Sequence, residues 1–167
     1  MAFYVSIPLV LGAAFLQVTL PQVGPVAGLK PDLPLVLVVM AGMLLGLRKG
    51  LVLAFLGGLV LDFYSGMPFG FVTLVLLLVT YLARFPNPGL LEVNPMVCMF
   101  IVGLATLFYN GILSLGVVAL GGETDWMRLA TSVVLPLTVM NALLSLLVFG
   151  ILVLLAKKPV PVREGWR

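Results

Sequence analysis

Six apolar runs follow one another through almost the whole chain, separated by short breaks rich in proline, glycine or charge. They occupy residues 3–20, 33–47, 51–64, 69–83, 95–120 and 129–156. An α-helix rises 1.5 Å per residue, so the first run would span roughly 27 Å, close to the ~30 Å of a hydrocarbon core. The last two runs are longer, and tilt accommodates the excess. Only 9% of the residues are charged and 62% are hydrophobic, whereas soluble domains carry about 25% charge. So little charge cannot cover a water-facing surface, and the sequence predicts an all-α integral membrane protein.

The second and third runs are shorter, roughly 22 Å each if helical. They read either as two thin spans joined by a turn at Arg48-Lys49 or as a re-entrant pair. Positive charge favours two spans. With the N-terminus inside and strict alternation, the inner side receives Arg48, Lys49, Arg84, Lys157, Lys158, Arg163 and Arg167. The outer side receives only Lys30 and Arg128. An excess of Lys and Arg on the cytoplasmic side is what membrane insertion imposes. The expectation is a six-transmembrane-helix bundle with both termini cytoplasmic. Residues 1–156 form a single membrane domain and 157–167 a short basic tail. The first run lacks a basic leader and a small-residue cleavage site, so it reads as a retained helix. Pro136 is expected to kink the last helix.

Several chemistries are excluded by residue content. There is no His, which removes His-dependent triads and Cys/His zinc sites. The single cysteine, Cys98, forms no internal disulfide and reads as a packing residue. A net charge of +3 is too dilute for a nucleic-acid surface. Glu123 and Asp125 stand in a loop without a metal-ligand pattern, and no nucleophile–base pair or phosphate-binding loop is visible. The chain is therefore expected not to be an enzyme and to need no cofactor or metal.

Small residues recur at four-residue spacing through the second and third runs, at Gly42, Gly46, Gly50, Ala54 and Gly58. That spacing places them on one helix face, where backbones approach closely. Two uses fit: packing between neighbouring helices of this chain, or a groove for a partner's transmembrane helix. Asp62 is the one acid inside an apolar run, and it opens the segment Asp62-Phe63-Tyr64-Ser65-Gly66-Met67-Pro68-Phe69-Gly70. Pro68 and the two glycines, Gly66 and Gly70, make this a tight turn, and its aromatics suit a membrane interface. Asp62 reads either as a cap satisfied by backbone N–H groups or as a polar anchor for a partner. Asn110 and Asn141 lie within the last two runs, where an amide usually bonds another helix. They fit a clamp between those helices or a polar spot in a ligand pocket. Trp126 and Trp166 read as interfacial anchors.

Lys30-Pro31-Asp32-Leu33, Gly46 and Gly50, Gly57-Gly58, Leu61-Asp62 and Ser65-Gly66-Met67-Pro68-Phe69-Gly70 together resemble the pattern of the rod shape-determining MreD family. The motifs cover about residues 30–70; beyond residue 84 only the layout matches. The resemblance implies a non-enzymatic scaffold of the bacterial cell-elongation (Rod) machinery in the cytoplasmic (inner) membrane. Such a protein binds MreC and works with MreB, RodA and a class B penicillin-binding transpeptidase to control lateral peptidoglycan synthesis. Gly42, Gly46, Gly50, Gly58, Asp62, Gly66, Pro68, Phe69 and Gly70 become its candidate partner-binding residues. A bulky residue at Gly46 or Gly58 is then expected to weaken assembly and spare the fold. The family is also similar, at the level of fold, to the substrate-binding subunits of ECF-type vitamin transporters. The alternative function is accordingly a small-molecule-binding transporter subunit, with Gln17, Asp32, Asp62, Glu123, Asp125 and Trp126 as the few polar and aromatic candidates near the outer helix ends. Membrane lipid is the remaining expected partner.

Overall fold

A computed structural model describes residues 2–19, 30–84, 94–123 and 125–156. These residues form six helical runs and no strand. They are α1 (Ala2–Thr19), α2 (Leu33–Leu44), α3 (Leu47–Asp62), α4 (Phe71–Arg84), α5 (Pro95–Ala119) and a last run built of α6 (Trp126–Leu129), a π-helical turn (Ala130–Val134) and α7 (Leu135–Ala156). The basic tail, with Lys157, Lys158, Arg163, Trp166 and Arg167, lies outside the described residues, as does the Pro86–Gly89 break.

The shortest of the six helical runs, α2, organises the others. Every residue of α2 from Pro34 to Met43 is buried, and it packs against α1, α3, α4, α5 and α7. A helix that is hydrophobic all round has no face for water, so it is stable only when surrounded. At ~18 Å, its 12 residues are also too short to cross a hydrocarbon core unaided. The other helices bury one side onto it. Leu53 and Ala54 of α3, Val72, Leu76 and Val79 of α4, and Cys98 and Val102 of α5 join one continuous core with Val10 of α1.

The outward faces remain apolar. Two runs, Pro95–Ala119 and Trp126–Leu154, are long and apolar enough to cross a membrane, and only about a third or less of each is buried. Leu74, Phe100, Phe108, Leu115, Leu147 and Leu154 stand exposed around the bundle. A band of this size is tolerated in lipid and not in water.

Two helix joints differ from the expectation. The turn between α2 and α3 falls at Leu45-Gly46, and Arg48-Lys49 sit in the first turn of α3. Gly46 adopts φ +103°, a conformation open to glycine, and reverses the chain there. Its carbonyl accepts from the amides of Lys49 and Gly50, each at 3.1 Å, which starts α3. At the other end α3 stops at Asp62 rather than at residue 64, and α4 begins at Phe71 rather than at residue 69. In the last run the disturbance is a π-turn just ahead of Pro136, where the Leu135 N–H reaches the carbonyl of Ala130 five residues back. Proline removes an N–H and crowds the carbonyl of residue i−4, and a wider turn absorbs both effects.

The two ends of the bundle are chemically distinct. One carries Met43, Gly46, Arg48, Lys49 and Arg84; there the Arg84 guanidinium donates a short hydrogen bond to the Met43 carbonyl at the C-terminus of α2. The other brings together Gln17, Asp32, the α3–α4 turn and the start of α4.

Candidate functional site

The α3–α4 turn is built around Asp62, which is 4% exposed. Its Oδ1 accepts from the Val72 amide at 2.9 Å, and its Oδ2 from the Thr73 amide at 3.0 Å and from the Thr73 hydroxyl. These amides belong to the first turn of α4, where backbone N–H groups have no partner within the helix. The last residue of α3 therefore caps the next helix, a carboxylate against the positive end of its dipole. Of the two uses open to Asp62, this geometry fills the cap. Neighbouring bonds hold the turn: the Ser65 hydroxyl donates to the Asp62 carbonyl and accepts from the Met67 amide, both at 3.3 Å. Gly66 and Gly70 take positive φ, +66° and +92°. The turn presents Phe63, Tyr64 and Phe69 outward, 73%, 62% and 65% exposed. Phe63 and Phe69 pack edge to face at 5.2 Å.

A second polar group lies where α1, α2, α5 and α7 meet. Asn141 is fully buried on α7; its Oδ1 accepts from the Asp32 amide at 2.9 Å and its Nδ2 donates to the Thr106 hydroxyl at 3.2 Å. Asn141 thus joins the two long runs and also fixes the start of α2. The Asn110 amide donates to the Thr106 carbonyl of its own helix at 3.0 Å. Gln17 of α1 donates to Asp32 Oδ1 at 3.2 Å, and the Lys30 ammonium reaches the Gln17 carbonyl at 3.4 Å. Asp32 Oδ2 is buried with no hydrogen-bond partner. Asp32 also lines a cavity of about 280 Å³, together with Gln17, Leu61, Tyr64, Ser65, Tyr109 and others.

Asp32 stands just outside the helical segment of α2. Burial pushes its carboxyl up to about 6, while the amides of Asn141 and Asn110 pull the other way. A carboxyl raised on folding contributes stability that is complete below its unfolded value of about 4 and is lost as pH rises through about 6. Asp32→Asn is expected to melt at the same temperature as the parent in detergent near pH 4. By pH 7.5 it should be the more stable, by on the order of 1–3 kcal/mol. Equal melting at both pH values would remove this titration from the account.

The glycines divide into two kinds. A Cβ on Gly50 would stand 2.3 Å from the Gly42 Cα, and one on Gly42 would stand 2.9 Å from the Thr80 methyl. A Cβ on Gly58 would stand 2.7 Å from the Thr73 Cα. These three let α2, α3 and α4 touch backbone to backbone, and the faces they occupy are covered by this chain itself. Gly46, Gly66 and Gly70 have open space around them and serve through backbone conformation. The four-residue spacing assigned Gly46 to the packing face, but its position in the turn takes it off that face. Thr73 and Thr106 carry partners that the sequence alone did not reveal, because each contact joins residues far apart in the chain or on different helices.

Among the described residues no group of three or more His, Cys, Asp or Glu is placed to hold a metal ion. A family model described as rod shape-determining protein MreD matches residues 1–159. No curated protein and no solved structure matches the chain.

Proposed function

From the premise that the chain belongs to the MreD family of rod shape-determining proteins, we propose that it is a non-enzymatic, multi-pass scaffold of the cell-elongation machinery in the bacterial inner membrane. In this reading all six helical runs lie across the bilayer, with both termini and the Arg48, Lys49 and Arg84 end on the cytoplasmic side. The charge distribution supports that orientation, since Lys30 and Arg128 are the only basic residues assigned to the other side. The protein binds MreC and, through it, acts with MreB, RodA and the class B transpeptidase on lateral peptidoglycan synthesis.

The observation that carries the scaffold reading is the α3–α4 turn. A buried carboxylate with three donors fixes its base, and its exposed apolar rings have no role in the core. Rigidly held, exposed aromatics are the residues from which interface hot spots are built. Gly66, Pro68, Phe69 and Gly70 thus act through the shape of this rim. Gly42, Gly50 and Gly58 act on assembly through the fold they permit.

Replacing Phe63 and Phe69 together by alanine removes their mutual edge contact, so melting in detergent should fall by no more than a few degrees, while MreC recovered by affinity purification should fall on the order of tenfold or more. Full recovery of MreC with the double variant would place the contact elsewhere. The alternative, a ligand-binding subunit of a transporter, draws on the cavity beside Asp32. Co-purification of a transporter ATPase in place of MreC would favour it.

A further inference from the structure

Helices α4 and α5 touch at one end of their seam and part at the other. Near the α3–α4 turn the Phe71 ring packs onto Gly116, where an added Cβ would stand 2.7 Å from it. Further along, toward the Arg84 end, the two helices leave a groove of about 190 Å³. Its walls are Val79, Leu82 and Ala83 of α4 and Ile101, Leu104, Ala105 and Phe108 of α5. Every wall residue is apolar, and Leu82, Leu104 and Phe108 are 40%, 49% and 57% exposed, so the groove faces outward from the bundle. Apolar walls with no atoms opposite forfeit dispersion contacts, which an apolar occupant restores. The space covers little more than one turn of α4 and two of α5. That is narrow for a helix, which is about 10–12 Å across with its side chains, and suits a single extended hydrocarbon chain.

The end of the bundle toward which this groove runs is basic. Arg84 closes α4 one residue beyond the groove wall Ala83. Its guanidinium donates to the Met43 carbonyl, and a guanidinium has further N–H donors to give. Arg48 and Lys49 stand exposed at the same end, in the first turn of α3. The acids among the described residues, Asp32, Asp62, Glu123 and Asp125, all belong to the opposite end. An apolar groove ending at a basic rim without acids complements an amphiphile with a hydrocarbon chain and an anionic head.

We propose that the α4–α5 groove holds one acyl chain of an anionic phospholipid, whose phosphate lies at the level of Arg84. The orientation proposed above makes this a lipid of the inner leaflet. The site uses no residue of the α3–α4 turn, so it stands apart from MreC binding there.

The test places the full chain in nanodiscs of equal parts phosphatidylglycerol and phosphatidylcholine with the same acyl chains, and reads retained lipid by native mass spectrometry. Retention of phosphatidylglycerol over phosphatidylcholine on the order of tenfold is expected. Leu104→Trp, at an exposed wall position, fills the groove without altering charge and should abolish the preference. Arg84→Gln should weaken it several-fold, and Arg84→Lys, which keeps the charge, should retain most of it. If Arg84→Gln fails to fold for want of the Met43 contact, Leu104→Trp decides alone. Equal retention of the two lipids by the parent overturns the proposal. So does a preference that Leu104→Trp retains in full, because the exposed cations would then account for it without the groove. A photoreactive residue at Phe108, illuminated in native membranes, should label phospholipid. A protein adduct there, to a partner helix or to a second copy, would show that a polypeptide covers the groove and would overturn the proposal as well.

Discussion

Asp62→Ala is expected to yield little or no folded protein. The substitution strips three hydrogen bonds at once and leaves the Val72 and Thr73 amides buried with no acceptor. Each unsatisfied buried donor costs about 1–3 kcal/mol, so the loss is on the order of 2–6 kcal/mol against a typical total of 5–15. Asp62→Asn keeps one acceptor oxygen and should fall between the two, because its NH₂ faces a donor. Thermal melting and size-exclusion profiles in mild detergent measure the series. If Asp62→Ala melted within a degree or two of the parent, the cap would contribute nothing and Asp62 would have to act elsewhere.

Gly50→Leu is the second large effect. Even an alanine Cβ at this position would stand 2.3 Å from the Gly42 Cα and 2.7 Å from the Gly42 nitrogen. Backbone cannot swing aside as a side-chain tip can, so α2 and α3 would have to separate. Overpacking of a tight core costs about 1–3 kcal/mol for added methylenes, and prising apart the hairpin that holds the central helix should exceed that. Gly58→Leu should behave similarly, since the obstacle is again backbone, the Thr73 Cα at 2.7 Å. This reverses the expectation from sequence that a bulky residue at Gly58 leaves folding intact. Gly12→Ala and Gly150→Ala meet nothing within 4 Å and serve as controls. They should fold like the parent or slightly better, because alanine favours helix over glycine by about 1 kcal/mol. Parent-like melting of Gly50→Leu would mean that α2 and α3 do not meet where the structure places them.

The two kinds of glycine explain how far the sequence could be read. Four-residue spacing correctly marks Gly42, Gly50 and Gly58 as small positions on helix faces, since periodicity is a local property. It cannot name what lies opposite. Thr80 and Thr73 lie 38 and 15 residues along the chain from Gly42 and Gly58, and only the arrangement of α4 brings them there. Gly46 shares the spacing but sits in the turn at φ +103°: period alone does not tell a packing glycine from a turn glycine. Charge interrupts the apolar run at Arg48-Lys49 and so points to a chain reversal there. The reversal instead follows backbone conformation, at the residue able to adopt φ +103°.

Asp62 and the turn after it were legible because cap, proline and glycines lie within nine residues. Asn141 was legible as an interhelical group, though not as the residue that also holds the Asp32 amide, a contact spanning 109 residues. Asp32 and Gln17 could be named as polar groups near helix ends, while the cavity between them required five helices to be placed.

The helical, lipid-suited character of the protein and the tight polar-based turn at Asp62–Gly70 are both legible in the sequence alone. These follow from composition, hydrophobic run length and local backbone chemistry, each set by residues close together in the chain. That the shortest of the six helical runs is the centre, and that Gly42, Gly50 and Gly58 are closed off by this chain's own backbone or threonines, follows only from the tertiary packing. It alone decided that one of two similar carboxylates is fully satisfied and the other is not. Those outcomes depend on which surfaces meet, and an apolar run presents the same sequence signal whether its neighbour is lipid or another helix.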